Sequence, residues 1–455
     1  MTAQADTRSI TEIAELLSTR RVASVDLVGA CLERIEARRD LNAFIAVRTD
    51  AALAEARRAD AEILAGTYRG PLHGVPISVK DLVDVAGTDT TSGSAVPPRR
   101  GVTDAPVVRL LREAGAIVIG KTNLHEFAFG TTGDETAFGP VHHPLDLTRS
   151  AGGSSSGAAV ALLEGMCFGS IGTDTGGSIR IPSAACGIVG LKATVGELSC
   201  DGVVPLSTTL DHIGPMTRTV ADAALMFHAM GGALTTPVRP AEGRKVFGVP
   251  GQYFCDRLDP GVRTGLARSR RNLERAGHRV VDVTIAHAPW TPDVYLHIVL
   301  PEASAYHAEM LDTHPKGYSP GVRLRLEMGR YVLAEDYVRA MTLRATLKAA
   351  VDRALEGVDA LLLPSLAITA PPLGASSVDV DGVREPVRAV MLRLTQLFNI
   401  SGHPSIAIPA GTAAGWPVGV QLVGRFGGTA ELLSLAAAAE PHITAGPGSV
   451  GGGTG

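Results

Sequence analysis

Apolar positions along the chain alternate between helical spacing and short continuous runs. Ser9 and Glu12 have the spacing of a reciprocal helix N-cap, just ahead of Ile13, Leu16 and Leu17. After Ser24, the residues Leu27, Val28, Cys31, Leu32 and Ile35 recur on one helical face. Ala51 to Ala65 predicts a third helix, stopped by Gly66. Val75 to Val79 is a short apolar run after Gly74, and Pro76 within it predicts an irregular or edge strand. Pro106 to Ala114 predicts a helix with proline in its first turn, followed by a buried strand over Ala116 to Ile119. Further on, a helix is expected over Val262 to Ala276 and a strand over Val280 to Ile285. Strands over Ser405 to Ile408 and Val418 to Val423 precede a last helix over Thr429 to Glu440. This alternation predicts an α/β protein, a largely parallel or mixed sheet with helices on both faces.

Length alone suggests two to three domains, but no repeat or long linker divides the chain. Thr235 to Gly243 is the best candidate for a loop between two lobes, and the Gly/Ser/Thr-rich stretch 446–455 reads as an unstructured tail. Hydrophobic residues make up 45% of the chain, which excludes a disordered protein. A net charge of −4 gives no electrostatic reason to expect binding to nucleic acid or an anionic membrane. The arginine pairs Arg38-Arg39, Arg57-Arg58, Arg99-Arg100 and Arg270-Arg271 read as dispersed, solvated faces. Met1 to Ser9 has no apolar signal region and no run is long enough to span a membrane, so a cytoplasmic protein is expected. The five cysteines form no CxxC pair and read as reduced buried thiols. His142-His143 lacks metal-ligand spacing and reads as loop.

Glycine changes the picture. It supplies 52 of 455 residues, and 16 of those fall between Gly130 and Gly214. Two motifs lie there, Ala151-Gly152-Gly153-Ser154-Ser155-Ser156-Gly157 and Gly172-Thr173-Asp174-Thr175-Gly176-Gly177-Ser178-Ile179-Arg180-Ile181-Pro182. A phosphate loop would need Lys and Ser/Thr where Ala158 and Ala159 stand. A nucleophile elbow centred on Ser155 fits the GxSxG pattern, but the polar, loop-like Pro144 to Ala151 replaces the strand it needs. Turns without chemistry remain a third reading. In the fourth, Gly176-Gly177-Ser178 turns several backbone N–H groups toward one point and so forms an oxyanion hole around a serine nucleophile. That serine needs a base. The nearby histidines (His125, His142, His143, His212) show no arrangement that sequence can establish. Of only six lysines, Lys80 ends an apolar run, where burial would favour its neutral form.

The chain resembles the amidase signature family of serine hydrolases over roughly residues 9 to 440. The likeness rests on Gly74 to Asp81, Gly120 to Phe127, the two glycine–serine motifs, Asp211 to Pro215, Asn399 to Pro404 and Pro417 to Gln421, in order and at family spacing. The resemblance implies a large twisted mixed sheet with helices on both faces. It also implies one domain over 1–445, with a signature core at about 70–220 and a variable substrate cap at about 290–393. It further implies a Ser-cisSer-Lys unit: Ser178 as nucleophile, Ser154 as bridging serine after a cis peptide from Gly153, and Lys80 as base. Backbone N–H groups of Thr175, Gly176, Gly177 and Ser178 would form the oxyanion hole. Ser155, Asp174 and Arg180 are supporting residues. Asp174 and Arg180 would brace the nucleophile loop, and Ser155 would orient a neighbour or a helix N-terminus. Lys121 reads as a solvated or loop-bracing lysine. No metal or cofactor is implied.

The expected activity is cleavage of a carbon–nitrogen bond in a small, mostly uncharged amide, anilide or carbamate. Urethanase or esterase activity is an alternative main activity. Another is the glutamine-hydrolysing subunit of a tRNA amidotransferase, disfavoured by Ile181 where that subunit usually has Gln. The expected partner is a small-molecule substrate, and a homodimer is compatible with the chain. Specificity is expected in Trp290 to Arg393 and Phe127 to Pro140, with Phe127, Phe129, Phe138, Tyr306, Tyr318, Tyr331 and Met391 as candidates for an apolar pocket.

Overall fold

A computed structural model describes residues 5–235 and 237–445. The tail expected at 446–455 lies outside the described residues, as do Met1–Gln4 and Thr236.

Eleven strands form one sheet. In chain order they are β1 (Phe44–Val47), β2 (Pro76–Lys80), β3 (Ile117–Thr122), β4 (Gly169–Asp174), β5 (Val189–Lys192), β6 (His212–Thr217), β7 (Val246–Pro250), β8 (Arg279–Val283), β9 (Ala360–Pro364), β10 (Ser405–Ala413) and β11 (Trp416–Val423). Their order across the sheet is β1-β3-β2-β4-β6-β5-β10-β11-β9-β7-β8. Parallel pairs (β3/β2/β4 and β9/β7/β8) are joined by an antiparallel centre, so the sheet is mixed. It runs without a break through both halves of the chain. The described residues 237–243, expected as a loop between lobes, carry no helix or strand.

Helices cover both faces. Side chains alternate along a strand, and neighbouring residues of β11 meet different helices. Val418 packs on Gly265 of the helix Pro260–Arg275, and Gly419 is filled by Ala184 of the helix Arg180–Cys186. The helices predicted from periodicity form with small shifts in their ends: Ile10–Ser18 with its reciprocal cap, Ser24–Ala37, Thr49–Leu64, Pro106–Glu113, Pro260–Arg275 and Thr429–Thr444.

Two local expectations are corrected. β2 is no edge strand: it pairs with β3 on one side and β4 on the other, and all five of its residues are buried. Pro76 is its first residue, where a missing N–H costs no ladder bond, and its carbonyl still accepts from Phe168 N at 3.0 Å. The irregularity is a register shift against β3 between Ile77 and Ser78. Residues 144–151 are not all loop either. Asp146–Ser150 pairs with His142–His143 as a small hairpin outside the main sheet, so the His pair is strand rather than loop. Leu147 is its one apolar side chain and is exposed, so no continuous apolar run marks it. Among the described residues no helix is long and apolar enough to cross a membrane.

Candidate active site

β2 and β4 are parallel neighbours, so both end at the same edge of the sheet. Ser78 and Ser170 stand side by side in the register, and the Ser78 hydroxyl donates to Ser170 Oγ at 2.7 Å. Lys80 ends β2 two residues beyond Ser78, and β4 ends in Thr173 and Asp174. The two glycine–serine motifs converge there. Ser155 N donates to the Ser178 carbonyl at 3.2 Å, and His125 N to the Ser154 carbonyl at 3.2 Å. The Gly153–Ser154 peptide is cis. Gly153 lies against the backbone of Thr131 to Gly133, where a β-carbon would sit 3.0 Å from three main-chain atoms, so only glycine fits.

Lys80 is sealed from solvent. Its Nζ lies 2.8 Å from Ser154 Oγ, 2.9 Å from Ser155 Oγ and 2.7 Å from Thr173 Oγ1. Burial pulls Lys80 down to about 7, and the charges of Asp174 and Asp211 offset only part of that. An ammonium donates to all three hydroxyls. A neutral amine donates to two and accepts from the third. Ser155 is committed elsewhere, because its hydroxyl donates to the Thr173 carbonyl at 3.3 Å. The proton offered to neutral Lys80 therefore comes from Ser154 or Thr173. Ser155 contacts the lysine and does not cap the helix: it is the N-cap residue of the helix Ser156–Leu163 but makes no side-chain cap. Gly172 makes room for it, since a β-carbon there would lie 3.1 Å from Ser155 Oγ.

The loop after β4 is arranged around its donors. The backbone N–H groups of Thr175, Gly176, Gly177 and Ser178 donate to no acceptor among the described residues, although all four residues are buried. The next two N–H groups, of Ile179 and Arg180, both point to Asp174 Oδ2, at 3.1 and 3.4 Å. The loop carbonyls are occupied: Gly176 O accepts from Thr395 Oγ1 at 2.5 Å and Gly177 O from Ile181 N at 2.7 Å. Gly177 sits at φ +138°, a conformation that side chains rarely tolerate. Buried main-chain donors are almost always paired, so four consecutive free ones fit an incoming oxygen.

Asp174 and Arg180 form the expected brace. Arg180 Nε and Nη2 donate to the two Asp174 oxygens at 3.0 Å each, with both side chains fully buried. Burial alone would raise the Asp174 carboxyl, but the Arg180 guanidinium outweighs it and holds Asp174 below the usual carboxylate range. Arg180 also donates to Gln421 Oε1 at 3.0 Å, the Thr395 carbonyl at 3.1 Å and Asn399 Oδ1 at 2.7 Å. The C-terminal motifs are thus the far wall of the nucleophile loop. On its other side Thr175 donates to Asp211 Oδ1 at 2.6 Å. Burial pushes Asp211 up to about 6, against the hydrogen bonds from Thr175, Ser207 and Leu206.

Other expectations divide. Lys121 braces but is not solvated: it is fully buried, with Nζ 2.6 Å from Asp81 Oδ1. Arg38 is not merely solvated, because it pairs with Glu164 at 2.6 Å. Phe127 and Tyr306 line a cleft of about 550 Å³ with Ser92, Val96, His307 and Met310, but Ser178 is not part of that cleft. Phe129 and Met391 are buried, Tyr318 packs on Phe127, and Tyr331 is 84% exposed. Thr173, Thr395 and Asp211 carry site contacts that sequence reasoning did not assign. Thr173 stands inside the second glycine–serine motif, in β4 next to its last residue. Among the described residues no three His, Cys, Asp or Glu side chains are grouped to hold a metal.

The loop of free N–H donors that ends at Ser178 is thus tied through Ser155 to the motif whose serines hold the buried Lys80. Comparison with known proteins gives the family. Residues 26–433 match the model of the family described as Amidase. A Pseudomonas putida protein named amidase is 38% identical over 423 residues, 89% of each chain. A glutamyl-tRNA(Gln) amidotransferase subunit from Heliobacterium modesticaldum is 34% identical over 480 residues, 95% of this chain and 96% of that one. A crystal structure of an amidase superposes with a TM-score of 0.92 at 39% identity, covering 96% of this chain and all of the other. The chain belongs to the amidase family, the amide-hydrolysing enzymes of the amidase signature fold.

Proposed function

We propose that this enzyme cleaves the carbon–nitrogen bond of a small amide through an acyl-enzyme on Ser178, with Ser154 as bridge and Lys80 as base. The observation that carries the reading is the run of four unpaired backbone donors ending at Ser178. Neutral Lys80 takes the proton of Ser154 as Ser154 takes that of Ser178. Ser178 Oγ bonds to the carbonyl carbon, and the carbonyl electrons move onto oxygen, where the N–H groups of Thr175, Gly176, Gly177 and Ser178 receive them. Collapse re-forms the carbonyl and breaks the C–N bond, and the leaving nitrogen takes the proton back from Lys80 through Ser154. Water then adds to the acyl carbon by the same relay, releasing the acid and restoring Ser178. Asp174, Arg180 and Ser155 position these groups and exchange no proton with substrate.

Anilides, carbamates and esters present the same carbonyl to Ser178, so urethanase and esterase activities belong to the proposal. The test is a panel of primary amides, p-nitroanilides, carbamates and esters, read as kcat/KM with Ser178→Ala as blank. At least one C–N substrate should be cleaved by the wild type and left intact by the blank. Full activity in Ser178→Ala with loss in Ser155→Ala would transfer the nucleophile to Ser155 and sink the proposal. A glutamine-hydrolysing role inside a tRNA amidotransferase is the second reading, favoured by the relative of that name at 34% identity. It predicts hydrolysis of glutamine that depends on added partner proteins.

A further inference from the structure

The free N–H groups of Thr175, Gly176, Gly177 and Ser178 belong to four successive peptide planes, all of them trans. In a trans plane the carbonyl and the N–H point in opposite directions. A group that grips a carbonyl from outside the loop therefore also aims the N–H that follows it. Three of these planes are gripped. The Asp174 carbonyl accepts from Asn399 Nδ2 at 2.9 Å, which aims the Thr175 N–H. The Gly177 carbonyl accepts from Ile181 N at 2.7 Å, a bond within the chain's own next turn, which aims the Ser178 N–H. The Gly176 carbonyl is gripped by a side chain from a distant segment, Thr395 Oγ1 at 2.5 Å, and that grip aims the Gly177 N–H.

The Gly176–Gly177 plane has the greatest need of a grip. Glycine stands at both of its ends, so no β-carbon resists a rotation that exchanges carbonyl and N–H. Such a rotation would withdraw the Gly177 N–H and turn the Gly176 oxygen, an acceptor, toward the point where negative charge develops. Thr395 is placed to prevent it. It is fully buried and lies directly against the loop, where a β-carbon on Gly177 would collide with its Oγ1 and meet its Cβ at 2.8 Å. Its hydroxyl has one proton to give, and the Gly176 carbonyl is nearer than the competing Leu392 carbonyl at 3.2 Å. The Thr395 backbone is fixed in turn: its N–H donates to the Leu392 carbonyl at 3.1 Å, and its carbonyl accepts from Arg180 Nη2 at 3.1 Å. Arg180 thus holds the start of the loop through Asp174 and the middle of the loop through Thr395.

We infer that Thr395 is a positioning residue of the oxyanion hole, its hydroxyl fixing the Gly176–Gly177 peptide in the orientation that offers the Gly177 N–H to the substrate oxygen. The inference rests on the reading of Ser178 as nucleophile. The Thr395 hydroxyl bonds to carbonyls and not to Lys80 or Ser154, so the proton relay is untouched. The test compares full-length Thr395→Val, which keeps the shape and loses the hydroxyl, with Thr395→Ser, which keeps the hydroxyl. Thr395→Ala is a second hydroxyl-free variant, and far-UV circular dichroism and the thermal midpoint check that each is folded. On an amide or anilide cleaved by the wild type, the hydroxyl-free variants should lose about tenfold or more in kcat, up to the ~10²-fold typical of one missing oxyanion donor. KM should stay within about threefold and the midpoint of the pH–rate profile should not move. Thr395→Ser should recover kcat to within about threefold of wild type. An aryl trifluoromethyl ketone, to whose carbonyl carbon Ser178 Oγ adds to give a tetrahedral oxyanion, should lose affinity for the hydroxyl-free variants by a factor similar to the loss in kcat. The inference is overturned if the hydroxyl-free variants keep kcat within about threefold, if the loss is in KM alone, or if Thr395→Ser is as slow as Thr395→Val. Turnover that survives Ser178→Ala, or a wild type that cleaves no amide or anilide, would instead count against the Ser178 reading.

Discussion

Lys80 and Lys121 stand on neighbouring strands, Val79 facing Lys121 across the register, and neither is exposed to solvent. Their surroundings differ in one respect. Lys121 meets a carboxylate, Asp81 Oδ1 at 2.6 Å, by charge pairing without hydrogen-bond geometry, and has weaker contacts to the Asp89 carbonyl and Thr90 hydroxyl at 3.3 Å. Lys80 meets three hydroxyls and, among the described residues, no anion within ion-pair distance. A carboxylate only accepts, so it holds a proton on its lysine. A hydroxyl gives and takes, so it lets burial strip the amine toward neutrality and then passes a proton to it. On the proposed reading, one edge of one sheet thus carries a brace and a base, and the partner decides which is which.

The sharpest way to break this comparison is to remove each amine. Lys80→Met, like Ser178→Ala, should lower kcat/KM by about 10³-fold or more while the protein stays folded; activity within tenfold of wild type would refute the base. Lys121→Met should do the reverse. It strands Asp81 as a buried unpaired carboxylate, at a cost of about 3–5 kcal/mol read as a fall in the urea midpoint, while the folded fraction keeps its kcat/KM within about threefold. A stable Lys121→Met protein without activity would make Lys121 chemical.

Proton linkage sharpens the same point. Lys80 titrates near 7 in the fold against an ordinary lysine value of 10.5, so between those values the unfolded chain binds more protons. The Lys80 contribution to stability therefore rises with pH across that window, by at most about 1.4 kcal/mol per pH unit, and vanishes below it. Urea midpoints of wild type and Lys80→Met at pH 7.5 and 9 should diverge, the wild type gaining on the variant as pH rises; parallel curves would place the Lys80 pKa elsewhere. The smallest effect is expected from Ser155→Ala, which removes one of three hydroxyls from Lys80 and should cost about tenfold in kcat/KM, the worth of one buried hydrogen bond. A loss as large as that of Ser178→Ala would mean that Ser155 takes part in the chemistry.

Elements that bury one face were legible in the chain, because amphipathic spacing survives in any tertiary setting. The helices Ser24–Ala37 and Pro260–Arg275 are examples. Lys80 was legible because an amine at the end of an apolar run has nowhere to go but inward. The turn that ends at Ser178 was legible because a glycine pair announces backbone that must come close or turn sharply, whereas Ser154 was singled out by the family resemblance. The central place of β2 was not, because Pro76 carries the signature of an edge and only the register shows that its missing N–H falls at the strand's start. Lys121 was misread in part, because its burial follows from β3 extending past Ile119 to Thr122. The meeting of Arg325 and Arg388 over the Phe129 ring was out of reach, since no local pattern brings three distant segments together.

The central claim is that a neutral Lys80 draws the proton from Ser178 through Ser154. It is tested most directly by the rate at which an uncharged phosphonate labels the protein as a function of pH, with the modified residue mapped by mass spectrometry. Label is expected on Ser178, at a rate that rises with a single-proton midpoint near 7, as burial of Lys80 requires, and that is lost in Lys80→Met. A rate that stays flat through pH 7, or label on Ser155, would contradict it.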